Sequence, residues 1–213
     1  MICFITAIYG NYETACKPFV KQSIPCDFIC FTDNPKIDTN GWELDTTTLL
    51  PLGSSFFQAK FFKQQFFKIP RLQKYDTIVW VDGTIELINT DTAKLLSIEP
   101  EMVLYEHEYH RELIIEVIEA SKLKRYEGQN IKQQWIDYLD EGFKESNVWI
   151  TCFISFKKNH IPFLNEWWNQ TLKYTTEDQV SFPYVCWKFN YEPITLKGAA
   201  HHKTLHYIKH NHG

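Results

Sequence analysis

The chain has 213 residues, with 22 Lys and Arg against 26 Asp and Glu, a formal net charge of −4. That balance argues against general nucleic-acid affinity, and no apolar run approaches the roughly 18 residues of a membrane span. Aromatics at 16%, seven of them Trp, furnish a core and also flat faces suited to sugar rings and bases.

Ile2–Ile8 reads as a buried strand ending in Tyr9-Gly10-Asn11-Tyr12. It lacks the basic flank of a signal peptide, so a cytoplasmic location is expected (host cytoplasm if the source is viral). Residues 13–22 suggest a short helix. Asp27–Thr32 is a second strand, stopped by Asp33-Asn34-Pro35. Residues 58–69 are helix-like and bounded by Pro70. Thr77–Val81 is a run of β-branched and aromatic residues that enters Asp82-Gly83-Thr84, as a strand buried on both faces and then a turn. Further strands are expected at 102–105 and 148–156, and helices at 111–123, 131–138 and 161–172. The last of these helices carries Trp167 and Trp168. The alternation predicts one α/β domain over 1–213, with a mostly parallel central sheet flanked by helices. A nucleotide-binding half would cover about 1–105 and an acceptor-side half about 106–213. The second half is less regular and has room for an antiparallel strand or two. The six cysteines read mainly as reduced core thiols, and Cys26 and Cys30 lack the second pair that a zinc site needs.

Three strand ends in the first half are polar. If these strands are parallel neighbours, the ends converge on one edge of the sheet, where ligands of open α/β folds bind. Ala7, Tyr9, Tyr12, Thr32 and Asp33 then suit a nucleobase, through stacking and edge hydrogen bonds. Gly83 leaves room for a ligand beside Asp82. No GxGxxG or GxxxxGK[ST] loop is present, so bound phosphate needs another source of positive charge. A cation on Asp82, with Thr84 nearby, is one source. Lys60 and Lys63, three residues apart on one helical face, are another. Asp82 as a simple turn residue, and the lysines as a solvated helix face, are the competing structural readings.

Residues 175–187, TTEDQVSFPYVCW, place Glu177, Asp178 and Gln179 at a helix start with Thr175 or Thr176 as N-cap. Acids also favour helix N-termini for capping alone. The nearby Trp167, Trp168, Tyr184 and Trp187 instead suggest carboxylates in an aromatic pocket, fit for a general base or for stabilising an oxocarbenium-like sugar. Five of the eight histidines lie at 201, 202, 206, 210 and 212, and one of them could complete a metal site as neutral imidazole. His107-Glu108-Tyr109-His110 is one residue short of HExxH, which removes the i, i+4 pairing. His110 or Arg111 instead suits a sugar hydroxyl or phosphate.

The first strand with its tyrosines, AKFFKQQFFKIP, WVDGTIEL and EDQVSFPYVCW, in that order, resemble a glycosyltransferase of the GT-A type. Within that type they are similar to the N-terminal transferase domain of a large multidomain chlorella-virus protein that builds capsid glycans. The resemblance covers nearly the whole chain. It implies a GT-A-like (Rossmann-like) fold, a UDP-sugar donor, Mn²⁺ or Mg²⁺, and hexose transfer to a glycan hydroxyl, with glucose and L-rhamnose as candidate sugars. The chain would then be part of a longer multidomain protein. By position, Asp82 matches the first Asp of the metal-binding DxD, and Thr84 replaces the second. His201 or His206 would substitute. Asp178 falls at the catalytic carboxylate, with Glu177 beside it. His107, Arg111, Gln179 and Trp187 would face acceptor or sugar. A sugar nucleotidyltransferase and a non-catalytic glycan-binding domain are the rival readings.

Overall fold

The computed structural model describes residues 1–46, 54–107, 112–144, 146–197 and 207–210. Nine strands are found among them: β1 Ile2–Ile8, β2 Asp27–Thr32, β3 Glu43–Asp45, β4 Thr77–Val81, β5 Ile85–Leu87, β6 Val103–Glu106, β7 Trp149–Lys157, β8 Ile194–Leu196 and β9 Ile208–His210. The helices are α1 Ser55–Gln64, α2 Thr92–Ile98, α3 Leu113–Ala120, α4 Ile131–Asp140, α5 Ile161–Lys173 and α6 Asp178–Lys188.

Seven strands form one sheet in the order β3-β2-β1-β4-β7-β6-β8, and β5 pairs with β9 in a small second sheet. The strands β3, β2, β1 and β4 are mutually parallel, while β7 runs antiparallel to both β4 and β6. The expected α/β class with a mostly parallel, helix-flanked sheet is what forms, and the antiparallel strand falls in the second half as anticipated.

Strand β1 shows why the sheet is central. All seven of its residues are buried. Alternate side chains enter two cores: Cys3, Ile5 and Ala7 on one face, and Ile2, Phe4 and Ile8 on the other. Burial on both faces requires the near-continuous apolar run that the sequence supplies. The first face is covered by α1, α3, α4, α5 and α6, through residues such as Phe62, Val117, Tyr138, Trp167 and Phe182. The second is closed by α2 and by a ring stack in which Phe28 lies between Phe4 and Phe19, with Trp42 edge-on.

Two expectations of local structure fail. Residues 13–22 are not a helix. Ala15 bridges Asp38, the Cys16 N–H donates to the Asp38 carbonyl at 2.8 Å, and Phe19 bridges Leu87. Pro18 opposes helix, and burying Cys16 and Phe19 against neighbouring strands outweighs the weak local propensity. The N-cap of α6 is Glu177, not Thr175 or Thr176. The Glu177 carboxylate accepts from the Gln179 N–H at 3.2 Å, whereas both threonines are held by Gln129. No helix among the described residues is long and apolar enough to cross a membrane.

Candidate functional site

The three polar strand ends do converge. β2, β1 and β4 are adjacent and parallel, with Ile8 beside Thr32 and Ile5 beside Trp80. The carboxyl ends of β1 and β4 border a cavity of about 560 Å³, with the end of β2 tied to it through Asp33 and Gly10. Its floor comes from Ala7, Trp80, Thr151 and Cys152 on β1, β4 and β7. One wall is Ser54 to Phe56, Ala59 and Lys60 at the start of α1. A second wall, which meets the first where Lys60 contacts Asp178, is Arg125 and Tyr126, then Thr176 to Gln179 leading into α6. Tyr9, Gly10, Tyr12, Asp82 and Gly83 close the strand-end side.

The loop after β1 has its shape for a local reason. Gly10 and Asn11 both have left-handed φ, +64° and +57°, and the Tyr12 N–H donates back to the Tyr9 carbonyl at 3.3 Å. Two successive left-handed residues form a tight turn that glycine and asparagine tolerate best. The Asp33 carboxylate accepts from the Gly10 N–H at 3.1 Å and so ties the end of β2 to this turn. Tyr9 folds inward and stacks on Phe62 at 5.8 Å, while Tyr12 stays 57% exposed at the rim.

Asp82 leaves β4 with its N–H donating to the Cys152 carbonyl at 2.8 Å. Its Oδ1 accepts from the Trp80 indole N–H at 2.5 Å. That indole therefore fixes the carboxylate at the cavity edge.

Asp178 is held quite differently. Its Oδ2 meets the ammonium groups of Lys60 at 2.8 Å and Lys63 at 2.6 Å, and its Oδ1 accepts from the Thr151 hydroxyl at 2.8 Å. Burial raises an isolated carboxyl, but the two ammonium charges prevail and hold Asp178 down to about 2. On Lys60, burial is overcome by Asp178, Glu177 and Asp82, so its pKa is raised. On Lys63, burial prevails and its pKa is lowered. Lys63 also lies over the Trp80 and Trp167 rings, at 5.7 and 5.6 Å. Glu177 accepts a short hydrogen bond from the Tyr126 hydroxyl and stands 3.9 Å from the Arg125 guanidinium. Burial pushes its carboxyl up, against the opposing charge of Lys60.

Of the residues singled out from sequence, Ala7, Tyr9, Tyr12, Lys60, Asp82, Gly83, Glu177, Asp178 and Gln179 line this one cavity. Others do not. Lys63 is 1% exposed and lies beneath the wall, so it is a partner of Asp178 and not a surface for phosphate. Thr32 is buried, its hydroxyl accepting from the Asn34 N–H at 3.1 Å, and Asp33 is spent on Gly10. Thr84 is buried outside the lining. His107 is buried at the end of β6, where its N–H donates to the Val148 carbonyl. Trp187 sits at the far end of α6 against Phe143. Trp167 and Trp168 are buried, so they do not form an open aromatic platform. Arg111, His201 and His206 lie outside the described residues.

Sequence reasoning missed Arg125 and Tyr126, which a short 3-10 turn, Lys124–Tyr126, delivers to the wall. Nothing in their spacing marks them. Thr151 was also missed, although a hydroxyl inside an apolar strand is a fair signal of a buried partner. Among the described residues no three His, Cys, Asp or Glu side chains gather as a metal cluster.

A comparison with curated proteins finds no match. The family model described as the TOD1/MUCI70 glycosyltransferase-like domain matches residues 60–205. That segment opens at Lys60 and takes in Asp82, Arg125, Glu177 and Asp178, so the carboxylates of the cavity and the wall from Arg125 to Gln179 are within it, while Ser54 to Ala59 precede it. Since it spans well over half of the chain, the protein belongs to the TOD1/MUCI70 glycosyltransferase-like domain family.

Proposed function

We propose that this domain transfers a hexose from a UDP-sugar to a glycan hydroxyl. The observation that carries this reading is the single cavity at the carboxyl ends of β1 and β4, where Asp82, Lys60 and the Glu177–Asp178 pair face the same space. Membership of a glycosyltransferase-like family supports the class of reaction. The strand order, parallel through β4 and antiparallel at β7, supports reading the fold as GT-A type. The donor sugars to test first are glucose and L-rhamnose, and capsid-glycan synthesis is the setting that the sequence resemblance suggests.

In this reading the base lies near Tyr9 and Tyr12, and the diphosphate lies between Lys60 and Asp82. Asp82 fits a Mn²⁺ or Mg²⁺ ion in part. Trp80 holds one of its oxygens and leaves the other for a cation, and Mg²⁺-type sites commonly combine one or two carboxylates with substrate phosphates and water. Such an ion would neutralise charge on the departing nucleotide. Lys60 and the Arg125 guanidinium contribute positive charge to the same cavity.

The two carboxylates suit different tasks. Asp178 stays ionised under its lysines and makes a weak base, so it fits charge stabilisation of an oxocarbenium-like sugar. Glu177, with its raised affinity for a proton, is the better acceptor for the proton of an incoming hydroxyl. The buried tryptophans lend no support to a non-catalytic glycan-binding module.

The test is a thermal-shift screen of UDP, GDP and CMP and their sugars, with and without Mn²⁺. A shift for UDP and one UDP-sugar is expected, larger with metal. No shift with any nucleotide would sink the transferase reading.

A further inference from the structure

Lys60 and Lys63 stand one helical turn apart on α1, and both reach the same oxygen, Asp178 Oδ2. Two ammonium groups therefore share one carboxylate oxygen at the base of the cavity. The two lysines are not equivalent. Lys63 is 1% exposed, lies over the Trp80 and Trp167 rings, and does not line the cavity. Lys60 is 20% exposed and lines it. Lys63 is therefore a fixed partner of Asp178, and Lys60 is an additional one that faces the ligand space.

We propose that Lys60 is a movable cation, handed from Asp178 to the diphosphate of an entering nucleotide, and that Lys63 is the positioning residue that permits the hand-over. This rests on the nucleotide-sugar reading of the same cavity. A buried carboxylate stripped of its only counterion is strongly unfavourable. With Lys63 and Thr151 still in place, Asp178 loses Lys60 without being stranded. The diphosphate carries more negative charge than one carboxylate that already has a second cation, so it competes for Lys60 successfully. Once Lys60 has gone, Asp178 Oδ2 regains an acceptor site inside the cavity, available to a donor-sugar hydroxyl. Without Lys63, Lys60 would be the sole counterion of Asp178 and would stay there.

The experiment is calorimetric titration of UDP and of uridine at constant Mg²⁺. Wild-type protein is expected to bind UDP more tightly than uridine, and Lys60→Met to lose that preference. Lys63→Met, although the residue lies outside the cavity, is expected to weaken UDP by about tenfold while uridine is unchanged. Adding Asp178→Asn to Lys63→Met removes the competitor for Lys60 and restores UDP to within about threefold of wild type. Unchanged UDP affinity in Lys63→Met, or an equal loss for UDP and uridine with no rescue, overturns the hand-over alone. Wild-type protein that binds no nucleoside diphosphate better than its nucleoside overturns the transferase reading and the hand-over with it. Should Lys63→Met not fold, Asp178→Asn alone decides. UDP affinity at or above wild type upholds the proposal, and a clear loss overturns it.

Discussion

Asp82 and Asp178 line the same cavity but are built on opposite principles. Asp82 ends a parallel strand and is oriented by one indole N–H, two residues away in sequence. Asp178 opens a helix, is 2% exposed, and depends on two lysines from α1 and a threonine from β7. The first is a local device, in which a strand, a turn and a neighbouring ring suffice. The second is assembled from three distant elements around a buried charge. Carboxylates that serve a reaction need not share a stability role, and the expected responses to substitution separate accordingly.

The largest difference should be in turnover. Asp82→Asn is expected to cut sugar transfer roughly a thousandfold, in the range of a lost electrostatic contact to the transition state, with little change in melting temperature. A donor-consumption assay beside a melting curve checks both halves. Near-normal transfer would break the contrast. Asp178→Asn should act on stability as well as on turnover. Removing one member of a buried ion cluster leaves cations uncompensated, and about 3 kcal/mol is expected to be lost in urea unfolding. A loss below about 1 kcal/mol would mean that the lysines escape to solvent and that the cluster is not a structural unit.

The far end of β7, where Lys157 pairs with Thr77 at the start of β4, should also respond to acid. His160, at the start of α5, is buried, and its Nδ1 accepts from the Lys157 N–H at 3.0 Å, which requires the neutral ring. Burial pushes its pKa down to about 4, with the charge of Glu101 opposing only in part. The folded protein therefore holds fewer protons than the unfolded chain as pH falls from about 6.5 to 4. Stability is full above this window and declines through it, by up to about 3 kcal/mol. His160→Gln should flatten that slope in denaturation measured at pH 7 and pH 4.5. The smallest effect expected is at the entrance to α1. The Ser54 hydroxyl accepts from the Phe57 N–H at 3.3 Å, and Ser54→Ala should cost about 1 kcal/mol while loosening the helix that carries both lysines.

The same contrast explains what could be read from the sequence. The strand ends at Tyr9, Asp33 and Asp82 were legible because a buried strand and its stop signal are local, and parallel pairing then brings the ends together. Glu177 and Asp178 were legible as a carboxylate pair, but their partners were not. Lys60 and Lys63 look alike on a helical wheel, and only packing against Trp80 and Trp167 sends one into the core and the other to the cavity. Arg125 and Tyr126 arrive on a short turn whose position is set by α3 and α4, not by any pattern of its own. The misread segment 13–22 failed for a related reason: its apolar residues bury against Asp38 and Leu87, contacts that helical periodicity cannot reveal.

The small β5–β9 sheet has a consequence for how the site is completed. β5 begins just after Asp82-Gly83-Thr84, and its partner is the last strand described, with Ile85 beside His210 and Leu87 beside Ile208. Ile85, Leu87 and Ile208 are all buried in the second core. During synthesis, the corner that carries Asp82 therefore leaves the ribosome long before the strand that clamps it. The nascent chain can lay down β1, β2 and β4, yet the corner that carries Asp82 stays unlatched until β9 has emerged. Closure of that corner then becomes a late event in the life of the polypeptide, timed by the emergence of β9.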